Sequence, residues 1–132
     1  MLNIRTRAVA ETITFDLTDV DDSPLMDDAG QPVRCTVYGP GSRRYQQAAQ
    51  RKVDRVVNRM VRGKPIAAEE QARAQAEFLA DITEDIDLAY DDLVGRDKLL
   101  AIYTDPAIGF VRDQIERKVG DWGNFKPGSG KP

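Results

Sequence analysis

The 132-residue chain carries 41% hydrophobic and 31% charged side chains with a formal net charge of −3, a balance that suits one folded domain and contains too much apolar surface for a disordered chain. It has no histidine and a single cysteine, which excludes an internal disulfide, an ordinary single-chain zinc site and the commonest general acid–base side chain. The opening MLNIRTRAVAETITFDL lacks the apolar stretch of a secretory signal and no apolar run reaches the length of a membrane span, so an intracellular protein without a membrane anchor is expected.

In chain order, VAETITFDL at 9–17 sets Ile13 and Phe15 among Thr12, Thr14 and Asp16, and VRCTVY at 33–38 alternates Val33, Cys35 and Val37 with Arg34, Thr36 and Tyr38. Both patterns have the two-residue period of a half-buried strand. The intervening SPLMDDAGQP supplies turn residues, so an antiparallel hairpin over about 9–38 with a long loop is the economical topology. Two strands are marginal alone and need helices on one face. GPGS at 39–42 ends the hairpin, with Ser42 placed to cap a first helix over about 42–62. Tyr45, Ala49, Val53, Val56 and Met60, widened by Ala48, Val57 and Val61, give that helix an apolar stripe read as core-facing.

Gly63 and Pro65 separate it from a second helix over about 66–82, which starts with Glu69 and Glu70 and whose buried side is read as Ala72, Ala76, Leu79 and Ile82. Residues 83–94 mix Ile86, Tyr90 and Leu93 with four aspartates and predict a break. A short helix over about 96–104 follows, and Asp105-Pro106 then opens a last helix over about 106–119 that buries Ile108, Val111, Ile115 and Val119. The expected architecture is α+β, a hairpin packed on about four helices in a single domain over 1–125, with 126–132 a flexible tail.

Charge is segregated. Residues 42–64 hold eight Arg or Lys against Asp54, and residues 66–92 hold nine Asp or Glu against Arg73. The two segments are expected to attract each other within or between chains through Arg51, Arg55, Arg59, Arg62, Asp81, Glu84 and Asp85. Neither this acidic segment nor the loop with Asp19, Asp21, Asp22, Asp27 and Asp28 has the spacing of an EF-hand, so solvated acidic surface is read in place of a metal site. An acidic pI near 5.0 and the adjacent acidic segment disfavour nucleic acid as the partner of the basic helix. No nucleophile has a candidate base, GPG is a turn without the spacing of a phosphate cradle, and neither catalysis nor a cofactor is expected. Core packing accounts for Tyr103 and Phe110, whereas Trp122 and Phe125 either pin the C-terminal segment or offer anchors to a partner.

The stretches ETITFDL, PLMDDAGQPVRCTVYGPGSRRYQQA and KLLAIYTDPAIGFVRDQIERKVGDWGNF together resemble the tail assembly chaperones of long-tailed bacteriophages. The likeness extends over most of the chain and is weakest over 64–94. Its most specific part is the closing block of Tyr103, Asp105, Pro106, the helix through Gln114, and Gly123-Asn124-Phe125. The resemblance implies a small helix-rich protein of the infected host's cytoplasm that binds the tape measure protein, helps recruit tail tube subunits and is absent from the mature virion. It implies no catalytic residues. Tyr103, Phe110, Gln114, Trp122, Asn124 and Phe125 are inferred as partner contacts, and a homo-oligomer is a further option. Many members are made in two lengths by ribosomal frameshifting, for which the codons of Gly130-Lys131 are a candidate slippery site. A head–tail connector or tail terminator subunit is the second reading, and a small nucleic-acid-binding regulator the third.

Overall fold

The computed structural model describes residues 1–61, 63 and 67–127. Strands β1 (Thr12–Asp16) and β2 (Arg34–Tyr38) form the expected antiparallel hairpin, with Ile13 opposite Val37 and Phe15 opposite Cys35. The alternation holds: Ile13, Cys35 and Val37 are buried, while Thr14 and Thr36 meet across the other face with their hydroxyls 2.7 Å apart. A third strand, β3 (Thr83–Ile86), joins antiparallel to the far side of β2, giving the order β1-β2-β3. The break expected within 83–94 therefore begins as a strand that the sequence reading did not contain. Its four residues TEDI follow the second helix without a spacer, and only Thr83 and Ile86 are buried.

Helices α1 (Arg43–Val61), α2 (Ala68–Ile82), α3 (Gly95–Thr104) and α4 (Gly109–Val119) complete a mixed α+β fold in which the hairpin packs on helices. Ser42 caps α1 as its position suggests, its hydroxyl accepting from the Tyr45 amide at 3.2 Å and donating to the Gly39 carbonyl at 2.8 Å. Asp105 likewise accepts from the Ala107 amide at 2.9 Å, but the turn that it opens, Pro106–Ile108, is a 3-10 turn, and the α-helix proper starts only at Gly109. The second helix begins at Ala68 after a cap at Ala67, and the proposed start at 66 lies outside the described residues. So do residues 128–132 of the tail and its Gly130-Lys131 pair.

The core lies between the inner face of the sheet and α2, α3 and α4. Ile13, Cys35, Val37 and Ile86 from the sheet join Leu79 and Ile82 of α2, Ile102 and Tyr103 of α3, and Val111 and Ile115 of α4 in one apolar cluster. Burial, reinforced by the nearby Asp85 and Asp87 carboxylates, pushes the Cys35 thiol up to about 12. The buried side of α2 differs from expectation: Ala72 is exposed, while Ala74 and Phe78 are buried with Ala76, Leu79 and Ile82. Alanine fills so many positions of this helix that the pattern marks its phase weakly. Tyr103, which lies under the sheet, donates its phenol to the Thr83 hydroxyl at 2.6 Å, since that hydroxyl spends its own proton on the Leu79 carbonyl at 2.7 Å.

The long β1–β2 connection is ordered by its own side chains. Asp27 accepts from the Ala29 and Gln31 amides, Asp21 from the Ser23 amide and hydroxyl, and Asp19 from the Val20 amide. Bonding from Ser23 holds the Asp21 carboxyl below its usual range. Leu25 folds back between Leu17 and Val33, its amide donating to the Leu17 carbonyl at 3.0 Å and its carbonyl accepting from the Val33 amide at 2.9 Å. The loop is thus a fixed projection at one end of the sheet.

Candidate functional site

Residues 43–61 form a helix with a continuous apolar stripe, but its neighbours cover only part of it. Ala48 is fully buried against the core, whereas Val53 and Val57 are 53% and 48% exposed. The expectation that Val53 and Val57 face the core is therefore corrected: at this height α1 rests on α2 along its Arg51 and Arg55 side, and the valines turn away from that contact. They line an open groove of about 510 Å³ together with Tyr45, Ala49 and Val56. The floor is Phe78 of α2, whose ring meets Tyr45 edge-on at 5.2 Å between centroids. The far wall is Val119 and Gly120 at the end of α4, with Glu116 on its lip.

Lys52 crosses the groove floor. It donates to the Gln75 amide oxygen while its ammonium stands 5.6 Å from the Phe78 ring centroid. Gln75 in turn donates to Glu116 at 3.5 Å, so a single polar thread ties α1, α2 and α4 beneath an otherwise apolar surface. The groove is shallow and wide. No group of three or more metal-ligating side chains occurs among the described residues, and no helix among them is long and apolar enough to cross a membrane.

The segregated charges meet inside one chain. Arg51 reaches Asp81 at 3.3 Å and Arg55 reaches Glu77 at 3.0 Å, both between α1 and α2, and Arg96 of α3 closes on Asp81 from the other side. Asp81 is not the solvated carboxylate expected, because its side chain is only 9% exposed. Glu84 and Asp85 remain exposed on β3. The Arg59 side chain and Arg62 lie outside the described residues. Replacing Asp81 with alanine should lower stability by about 1.5–3 kcal/mol, the worth of hydrogen bonds to a charged group, because it releases three helices at once. The exposed Asp92→Ala should stay within about 0.5 kcal/mol of the parent. Urea denaturation of the two variants at low and high salt checks this, and equal losses would show that the Asp81 pair carries no special load.

The six inferred partner contacts separate into three groups. Tyr103, Phe125 and Gln114 are buried, so these three serve the fold instead of presenting a surface. Gln114 accepts from the Thr18 amide and hydroxyl at 2.7 and 3.0 Å and donates back to the Thr18 carbonyl at 2.8 Å, which locks α4 to the end of β1. Phe125 lies beneath Gly39, where an added Cβ would stand 2.3 Å from the ring. Phe110 and Asn124 are half-buried, and the Asn124 amide donates to the Lys118 carbonyl at 3.0 Å. Trp122 alone of the six stands out, 57% exposed. Sequence reasoning found the α1 stripe but not the groove, because spacing marks which positions are apolar and leaves open what covers them.

Comparison with known proteins finds no matching family model, no matching curated protein and no matching solved structure.

Proposed function

We propose that this chain is a non-catalytic tail assembly chaperone, which binds the tape measure protein and helps recruit tail tube subunits in the cytoplasm of an infected bacterium. Two things support the reading: the resemblance of three sequence blocks to that family, and the open groove over Val53, Val57 and Phe78. The groove is the carrying observation. A long helical partner prone to aggregate displays successive apolar stripes, and a shallow helix-lined groove accepts such a stripe through i, i+3/i+4, i+7 anchors without a deep pocket. The rest of the surface keeps the complex soluble, since charged side chains flank the groove on α1, α2 and α4.

Co-expression with the tape measure protein encoded alongside it should raise that protein's soluble yield and give a copurifying complex. Failure to copurify, with the tape measure protein equally insoluble alone, would count against the chaperone reading. Mass spectrometry of purified virions adds a second arm: a chaperone is absent from the particle, whereas a head–tail connector or tail terminator subunit is retained.

A further inference from the structure

The outer edge of β1 is closed at both ends and open between them. Within the hairpin the Glu11 carbonyl accepts from the Gly39 amide at 2.8 Å and the Leu17 amide donates to the Val33 carbonyl at 2.9 Å, so the odd-numbered residues of β1 are those bonded to β2. The even-numbered residues turn their amides and carbonyls away from β2. Hydroxyl contact between Thr14 and Thr36 agrees, since side chains approach most closely at pairs that are not hydrogen-bonded. Ahead of the strand, the Ala10 amide finds the Phe125 carbonyl. Beyond it, the Gln114 side-chain amide accepts from the Thr18 amide and donates to the Thr18 carbonyl, as one residue of a neighbouring strand would. Between these two substitutes, the outward amides and carbonyls of Thr12, Thr14 and Asp16 have no partner among the described residues.

Nothing in the strand discourages pairing there. TITFD runs in unbroken register without proline or lysine, and its one charge, Asp16, is paired with Arg34 at 3.3 Å. The opposite edge of the sheet differs: β3 joins with an irregular register and exposes Glu84 and Asp85, features that keep an edge from being extended. On the inner face, beside the open edge, Phe15 is only half-buried, unlike Ile13. The Lys118 ammonium stands 5.4 Å from the Phe15 ring centroid and makes no ion pair among the described residues. Asn124 fixes the end of α4 that carries this lysine.

We propose that β1 takes up an extended segment of a partner protein as a fourth strand, with an acidic side chain of that segment directed at Lys118 and aliphatic ones at alternate positions against Phe15. Main-chain pairing supplies the affinity in such a contact, and the side chains that share one face supply the choice between segments. The open backbone groups call for an extended main chain, and the unpaired ammonium over an aromatic ring favours a segment that mixes aliphatic and acidic residues. A second copy of β1 meets the first requirement and fails the second, because a twofold pairing through Thr14 sets both Lys118 side chains on the same face. The edge shares no residue with the groove on α1, which accepts a helix.

Hydrogen exchange of the whole chain, followed by NMR with the capped peptide TVTETVT as the probe, tests this. In the free chain the Thr12, Thr14 and Asp16 amides should exchange far faster than those of Ile13 and Phe15. With most of the chain occupied by peptide, these three should slow by about tenfold. TVTETVT should bind roughly fivefold more tightly than TVTKTVT, and Lys118→Glu should reverse that order. Thr14→Pro removes the central outward amide while leaving the ladder to β2 in place, and should abolish binding of both peptides. Should that variant melt early, the charge reversal stands without it. No slowing at the three amides, equal affinity for the two peptides, or a preference unchanged by Lys118→Glu would each overturn the proposal. So would protection of the edge in the peptide-free chain that grows with its concentration, the sign of a second copy on β1.

Discussion

Phe125→Ala is expected to destabilise the chain by about 3–5 kcal/mol, the loss typical of removing a fully buried aromatic ring. This residue lies six positions beyond α4, directly before the stretch whose composition reads as tail; its ring is fully buried and its carbonyl accepts from the Ala10 amide at 2.7 Å. Removing the ring opens a void under the start of α1 and frees the entry to β1. Gly39→Ala attacks the same contact from above, since its new methyl group would meet the ring far inside contact distance. In the Phe125→Ala background the methyl falls into the space the ring vacated, so the second substitution should then do much less harm. A urea double-mutant cycle measures the coupling. Additive losses would mean that Gly39 is held by something other than room for the ring.

The other large effect concerns binding. Val53→Asp together with Val57→Asp should weaken capture of the tape measure protein by roughly a hundredfold or more, because burying each valine is worth about 1.5–3 kcal/mol and every 1.4 kcal/mol is a factor of ten. Both positions are half exposed in the free chain, and aspartate and valine have similar helix propensities, so the melting temperature should hold. Pull-down and calorimetry with the co-expressed partner check the affinity, and Asp54→Ala on the outer side of α1 serves as a neutral control. Undiminished capture by the double variant would place the binding surface elsewhere on the chain.

How far the sequence carried depended on the range of the interaction. The hairpin was legible because both strands alternate cleanly and the inner residues Ile13, Cys35 and Val37 need only a covered face to settle their register. Caps at Ser42 and Asp105 are local chemistry and read directly. β3 was not legible, since TEDI has two carboxylates in four residues and gains its strand character from the free edge of β2. Gln114 and Phe125 stand out in the sequence, and for Phe125 pinning of the C-terminal segment is one of two open alternatives, but what each packs against is not legible, because their partners, Thr18 and Gly39, lie far away in sequence. The groove stood between these cases: the valine stripe is periodic and visible, while its exposure depends on the angle at which α1 leaves α2.

The pairing of Ala10 with Phe125 also sets an order of events on the ribosome. At roughly 5–20 residues per second, the hairpin emerges several seconds before the segment that completes its lower end. In that interval Val37 and Cys35 lack their covering helices, and β2 has one edge unpaired until residues 83–86 arrive. A nascent chain in this state presents an uncapped strand edge over Arg34–Tyr38, the kind of surface on which neighbouring nascent chains of the same polysome pair in error. The surplus of aspartates in the β1–β2 connection, synthesised between the two strands, sets like charges on every such neighbour and so opposes that pairing before the fold has closed.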